Sequence, residues 1–355
     1  MREDLAPSVF VSAGASLTKP RARNLVVLLA FVGIGLALGA PLVLAPKTLL
    51  AGLRNVSVLV FVTLFASASL SAVAKAWKLQ LLQSRLDFRL RFLRTLSITA
   101  VTDFAFLVSP LGAAGYGVNL GLLKRSGASW AVAATVVGSD QMLDLMFFAV
   151  ATPIGLVLAM TPVTQLFPKV SAPLVLGIIL LVALLVSTLW ACRQRVATVL
   201  DTIGRRIPWF VSWRPQWIGL CQNVALRLAQ LREGQRRWFI ALLLLTTMQW
   251  LLRYSVLWFS LFELGYHLPL GFVLATQVMV LHAALWTGLP AGGGAGDLAL
   301  AASFSHWVPL QAMAIALAMW RFSTLYCPLL FGGAGLAALA LRRHFKAPAA
   351  ELSPT

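Results

Sequence analysis

The chain has 355 residues, 59% of them hydrophobic and only 11% charged, with a mean hydropathy of +0.85. A soluble domain carries about 25% charged residues, so that class is excluded, and the period-two alternation of a membrane β-barrel is absent. The net charge of +18 gathers at the ends of apolar runs, as in cytoplasmic loops facing anionic lipid heads, and no nucleic-acid-binding fold surrounds it.

The expected fold is an all-α polytopic membrane protein of about 7–9 transmembrane segments, with two Gly/Pro-broken re-entrant hairpins and an internal repeat. Cys192, Cys221 and Cys327 include no CxxC pair, and His267, His282, His306 and His344 are scattered. Neither a disulfide framework nor a metal site is expected, and no cofactor.

In chain order, residues 1–24 are polar and read as a loose cytoplasmic N-terminus ending in "KPRAR". The apolar run that follows is too long, and starts too late, for a cleavable signal peptide, so Leu25–Leu44 reads as a retained first span. A second span covers Val56–Ala74, whose "ASASLSAVA" lets helices approach closely. Residues 75–94 carry Lys75, Lys78, Arg85, Arg89, Arg91 and Arg94 against Asp87. They read as a cytoplasmic segment, with Leu and Phe spaced for an interfacial amphipathic helix.

"TLSITAVTDFAFLVSPLGAAGYGVNLGLLKRSG" is apolar up to Pro110, breaks at Gly112 and Gly115, and ends on Lys124 and Arg125. Basic residues on both sides predict a hairpin that enters and leaves by one face, its non-helical tip sheltered by protein or a wet cavity. One long span beginning at Ala128 and another over 172–191 follow. Residues 192–237 hold nine arginines against Asp201 and Glu233 and read as a basic cytoplasmic linker between two halves. The second half contains Trp238–Phe262, Leu268–Leu289, the break "PAGGGAGD" at 290–297, and Val308–Leu341. Residues 25–341 form one transmembrane domain, and 342–355 a basic tail. The tryptophans near span ends suit an interfacial belt.

Pro110-x-Gly112 and Pro290-x-Gly292 lie 180 residues apart, each followed by small residues and then an apolar helix. Matching breaks in two halves point to a binding site at the repeat interface. The topology does not close on this count. A cytoplasmic "RRHFK" needs one extra crossing: either 290–306 crosses, or 308–341 crosses twice around Arg321 and Pro328.

Ionisable groups at membrane depth cost about 2.5–3.5 kcal/mol each on insertion scales, so they mark protein-lined, wet or ligand-bearing places. They are Asp103, Asp140, Asp144, Arg253, Asp297 and Arg321. Asp140 and Asp144 share a helix face and need a cation, a proton or an arginine between them. One reading is a polar cavity in which the acids hold a cationic group and the arginines hold phosphate; the other is that Asp140/Asp144 and Arg253/Arg321 pair inside the bundle. Asp297 follows the Gly292–Gly294 stretch, where freed N–H groups and a helix N-terminus suit an anion, or where it is an ordinary N-cap. H-E-x-x-H, Walker A and G-x-S-x-G are missing, which argues against ATP-driven transport by this chain alone.

"LVSPLGAAGYGVNLGLLKRSGASWAVAATVVGSDQMLD" resembles the first signature of the lysylphosphatidylglycerol synthase-type transmembrane, or flippase-like, family, and "LPAGGGAGDLALAASF" resembles its second. "AWKLQLLQSRLDF" also fits. Where the family commonly has an acid after the first break this chain has Tyr116; where it has Arg before the second acid this chain has Gly296, and the acid is shortened to Asp297. The resemblance implies lipid translocation, or support of lipid modification, in a bacterial or archaeal inner membrane with the N-terminus cytoplasmic. The soluble aminoacyl-transferring domain of some members has no counterpart here, so enzyme activity is not the leading expectation.

The site residues expected to bind the lipid head group are Asp140, Asp144, Asp297, Arg253, Arg321, Pro110, Gly112, Gly115, Pro290, Gly292 and Gly294. Asp144→Asn and Asp297→Asn are expected to leave folding intact and stop head-group movement. The alternatives are an intramembrane transferase with one Asp as general base, or a non-catalytic scaffold. Expected partners are membrane lipids with anionic or lipid-linked head groups, a second copy or a lipid-modifying enzyme, and no nucleic acid.

Overall fold

The computed structural model describes residues 39–109, 112–158, 236–285 and 294–344, with scattered positions between them. The segments 1–24, 172–191 and 192–237, most of the first span, and the tail beyond His344 lie outside the described residues, apart from isolated positions. The helices are α1 (Leu49–Arg54), α2 (Val58–Ser84), α3 (Phe92–Val108), α4 (Ala113–Arg125) and α5 (Trp130–Leu158) in the first half. In the second they are α6 (Arg236–Glu263), α7 (Leu270–Leu285), α8 (Ala295–Phe304), α9 (Leu310–Arg321) and α10 (Cys327–His344).

Among the described residues four helices are long and apolar enough to cross a membrane: Val58–Ser84, Trp130–Gly155, Arg236–Glu263 and Leu310–Leu339. The remaining apolar helices are shorter. α3, α4, α7 and α8 have 17, 13, 16 and 10 residues. At about 1.5 Å per residue none spans a hydrocarbon core of about 30 Å with room to spare. They pair instead as two helical hairpins, α3–α4 and α7–α8. In the second, Phe272 at the start of α7 lies edge-on to Phe304 at the end of α8, with ring centres 5.4 Å apart, so the chain returns to the end it left.

Each half is therefore a long helix, a hairpin and another long helix. Val58 and Arg236, and likewise Phe92 and Leu270, lie 178 residues apart; Trp130 and Leu310 lie 180 apart. The central helices α2 and α6 run antiparallel: Ser67 Oγ donates to the Leu252 carbonyl at 2.7 Å, and Trp238 Nε1 to the Leu81 carbonyl at 3.3 Å. Ser71 Oγ donates to the carbonyl of Gln249, its own mate at the 178-residue offset. Equivalent residues touch only on a two-fold axis, so the halves form an inverted repeat about this crossing.

The peripheral packing repeats under the same operation. A Cβ added at Gly335 of α10 would come within 3.0 Å of the Ser97 carbonyl on α3. One added at Gly155 of α5 would lie 3.2 Å from the Cβ of Ala275 on α7. Gly155 is the mate of Gly335, and Ala275 of Ser97. Each hairpin thus leans on the last long helix of the other half.

Charge separates the two ends of the bundle. Arg85, Arg89, Arg91, Arg94, Lys124, Arg125, Arg236 and Arg237 belong to the end where α2 finishes and α6 begins, and α10 runs toward that end past Arg342 and Arg343. The other end holds Lys47 and Arg54, just before α2 begins, and no lysine or arginine occurs between Arg253 and Arg321. A buried cluster of Leu82, Leu86, Leu123 and Val132 packs the basic end; Leu261, Phe272, Phe304 and Met313 pack the other.

One expectation is corrected. Residues 75–94 are not one interfacial helix: α2 continues through Lys75 and Lys78 to Ser84, and a turn with Asp87 at φ +52° leads into α3. The second span outlasts its expected end because carboxylates from distant helices neutralise both lysines. Within the apolar stretch 268–289, α7 (Leu270–Leu285) is a 16-residue helix that packs back on α8. Of the open alternatives for 308–341, the structure has a single membrane-length run, Leu310–Leu339. It is one helix with a π turn over Phe322–Tyr326, where the Cys327 amide bonds to the Phe322 carbonyl. Pro328 lacks an amide hydrogen just after this turn, and the wider turn takes up the interrupted ladder.

Candidate functional site

The charged groups gather around the two-fold axis. Lys78, completely buried, places Nζ 2.7 Å from Asp144 Oδ1 and 2.7 Å from Asp140 Oδ1. The contact to Asp144 is a hydrogen bond; that to Asp140 is an ion pair without hydrogen-bonding geometry. Trp250 Nε1 of α6 adds a bond of 2.9 Å to Asp144 Oδ1. The shared helix face of Asp140 and Asp144 is thus real, and the cation between them is a lysine.

Lys75, one turn earlier, bonds to Asp103 Oδ1 of α3 at 2.5 Å. Neither lysine was singled out from sequence, because both stand at the start of a run of basic residues that resembles a loop. The available signal was the spacing. Lys75 and Lys78 share a helix face, and "LQLLQ" prolongs the apolar pattern beyond them.

Asp297 and Arg321 form a second centre. Arg321 Nε donates to Asp297 Oδ1 at 2.7 Å and Nη2 to Oδ2 at 2.6 Å, a two-pronged bridge with both residues buried. Asp297 sits in the third position of α8 and is not its cap. The N-cap is Gly294 at φ +79°, as Gly112 at φ +68° caps α4. Only glycine takes that backbone without strain, which explains the glycine at both hairpin tips. Gly115 lets α4 close on Phe106, whose ring would lie 2.3 Å from an added Cβ. Pro110, Pro290 and Gly292 lie outside the described residues.

Arg253 differs from the other buried cations. Among the described residues it has no carboxylate within ion-pair distance; its guanidinium carbon lies 6.0 Å from the centre of the Trp250 ring. It is half-buried and lines a small cleft open to the surface. Ala68, Ser71 and Ala72 of α2, Ala100 and Asp103 of α3, Ser323 of the π turn, and Pro328 and Phe331 of α10 form the remaining walls. Small side chains on α2 make the space.

The inverted repeat explains why Arg253 has no counter-charge among the described residues. Its mate at the 178-residue offset is Lys75, whose partner is Asp103. The mate of Asp103 is Leu281. One half carries the cation with its acid, the other the cation alone. The structure therefore brings Arg253 and Asp103 to one cleft and joins Asp140 and Asp144 through Lys78. Asp297 and Arg321 are locked to each other. This bridge gives Asp297 a structural role, so Asp297→Asn is expected to cost stability as well as activity. Among the described residues no group of three His, Cys, Asp or Glu side chains is arranged for a metal ion.

A family model described as Lysylphosphatidylglycerol synthase TM region matches residues 27–332. The chain is also 21% identical over 264 residues to a UPF0104 membrane protein of Archaeoglobus fulgidus, covering 72% of this chain and 79% of that relative.

Proposed function

The chain belongs to the lysylphosphatidylglycerol synthase TM-region family, and we propose that it is a flippase-like membrane protein that binds a phosphate-bearing lipid head group and moves it across the inner membrane. The observation that carries this reading is Arg253: a cation near the two-fold axis, without a carboxylate partner among the described residues, facing an open cleft. An arginine at membrane depth without a counter-ion costs at least about 2.5–3.5 kcal/mol, and a phosphate offsets that cost through paired hydrogen bonds. The acyl chains stay in the bilayer while the head group enters between α2, α3 and α10. The hairpins enter the membrane from opposite faces and turn back near its middle, where their glycine-capped tips border the polar layer. The basic end lies in the cytoplasm by the positive-inside rule.

The test is a head-group translocation assay in proteoliposomes with fluorescently labelled phosphatidylglycerol. Arg253→Gln is expected to lower the rate at least tenfold while its unfolding temperature in detergent stays within a few degrees of wild type. Arg253→Lys retains part of the rate. Wild-type translocation by a folded Arg253→Gln protein would remove the cleft from the mechanism.

A further inference from the structure

The open cleft has a counterpart across the two-fold axis, and that counterpart is filled. At the 178- and 180-residue offsets, Trp250 of the second half stands where the first has Ala72, and Phe148 of the first half where the second has Pro328. Their rings lie edge to face with centres 4.7 Å apart. Tyr254 and His282 close the cluster, 5.7 and 5.3 Å from Phe148. The backbone that frames the cleft is therefore built twice, and larger side chains, Trp250 and Phe148 foremost, stand in the second copy.

Resting on the Arg253 reading, we infer that Trp250 and Phe148 plug a second half-site, which takes the same phosphate-bearing lipid head group with Lys75 as its cation. Lys75 is the register mate of Arg253, and Asp103 holds its charge while the plug is in place. Two contacts link the plug to the open cleft. Trp250 is held by the Asp144 carboxylate through Nε1, and its ring lies beneath Arg253. A phosphate that draws Arg253 into the cleft removes the cation–π contact and leaves Trp250 on its bond to Asp144 alone. In an inverted repeat each half can take up the arrangement of the other, so exchange of open and plugged half-sites moves the head group past the axis without passage through hydrocarbon.

The experiment counts phosphatidylglycerol bound to the full-length, detergent-solubilised chain by native mass spectrometry. Wild type is expected to hold one lipid, and the Trp250→Ala/Phe148→Ala variant two. Adding Lys75→Gln to that variant returns the count to one. A folded double variant that still holds one lipid, or a second lipid indifferent to Lys75→Gln, would overturn the half-site. Arg253→Gln in the otherwise wild-type chain tests the first cleft separately: a retained lipid there counts against the Arg253 reading. Should the double variant fail to fold, Ala151→Cys decides, because Ala151 is the mate of Phe331 in the open wall. Its reaction with a water-soluble thiol reagent is expected to rise several-fold when phosphatidylglycerol is added, and an unchanged rate would refute the inference.

Discussion

In the first half, the hairpin tip is tied to its neighbouring long helix by a neutral bond: Tyr116 Oη donates to Gln141 Oε1 at 3.0 Å, on the exposed side of α4. In the second half, Gln141 is replaced by its mate Arg321, which grips Asp297 at the start of α8 with two charged bonds away from solvent. The backbone plan is common to both, but the strength of the tie is not. A neutral, exposed bond contributes about 0.5–1.5 kcal/mol, whereas breaking one partner of a buried ion pair costs about 3–5 kcal/mol. The comparison teaches that the α7–α8 tip is held by a buried ionic tie and the α3–α4 tip by a weaker neutral one.

Breaking the anchored tie should give the largest effect. Arg321→Ala leaves the Asp297 carboxylate buried without a partner, and a loss of roughly 3–5 kcal/mol is expected, read as a lower unfolding temperature in detergent. The corresponding change in the first half, Gln141→Ala, should cost no more than about 1.5 kcal/mol. Equal losses would end the distinction between the tips.

The next test concerns what the halves share. Gly335→Val and Gly155→Val each push a branched side chain into the opposite hairpin, and each should cost about 1–3 kcal/mol through overpacking. Similar values support the inverted repeat in energetic terms. A neutral Gly155→Val would restrict the close approach to one side. The smallest effect is expected for Tyr116→Phe, about 0.5–1.5 kcal/mol, because only one hydroxyl bond is lost. Amide exchange in α4 should quicken in that variant while exchange in α8 stays as in wild type.

Much of this plan was legible in the sequence. A chain so apolar must satisfy its backbone within helices, and glycine where the backbone turns left-handed marked both breaks at Gly112 and Gly294. The offset of about 180 residues between the broken segments was readable for the same reason, since both halves solve one backbone problem with one residue type. The buried aspartates and arginines stood out because charge is rare at that depth.

What the sequence could not supply was pairing. Whether Asp140 and Asp144 meet Arg253, Arg321 or a lysine depends on which helices cross, and Lys78 reached them only when α2 packed beside α5. Lys75 and Lys78 resembled loop residues until carboxylates from other helices neutralised them. Whether α7 crosses or turns back likewise depends on its packing against α8, because a 16-residue apolar run allows either. By itself the sequence determined the class of solvent, the helical state and the places where the backbone must bend, all of which are local consequences of side-chain chemistry. The tertiary structure alone decided that the two halves are inverted and that, among the described residues, Arg253 is a cation left without an acid in its reach. Those depend on distances between residues far apart in the chain, which only the packed bundle sets.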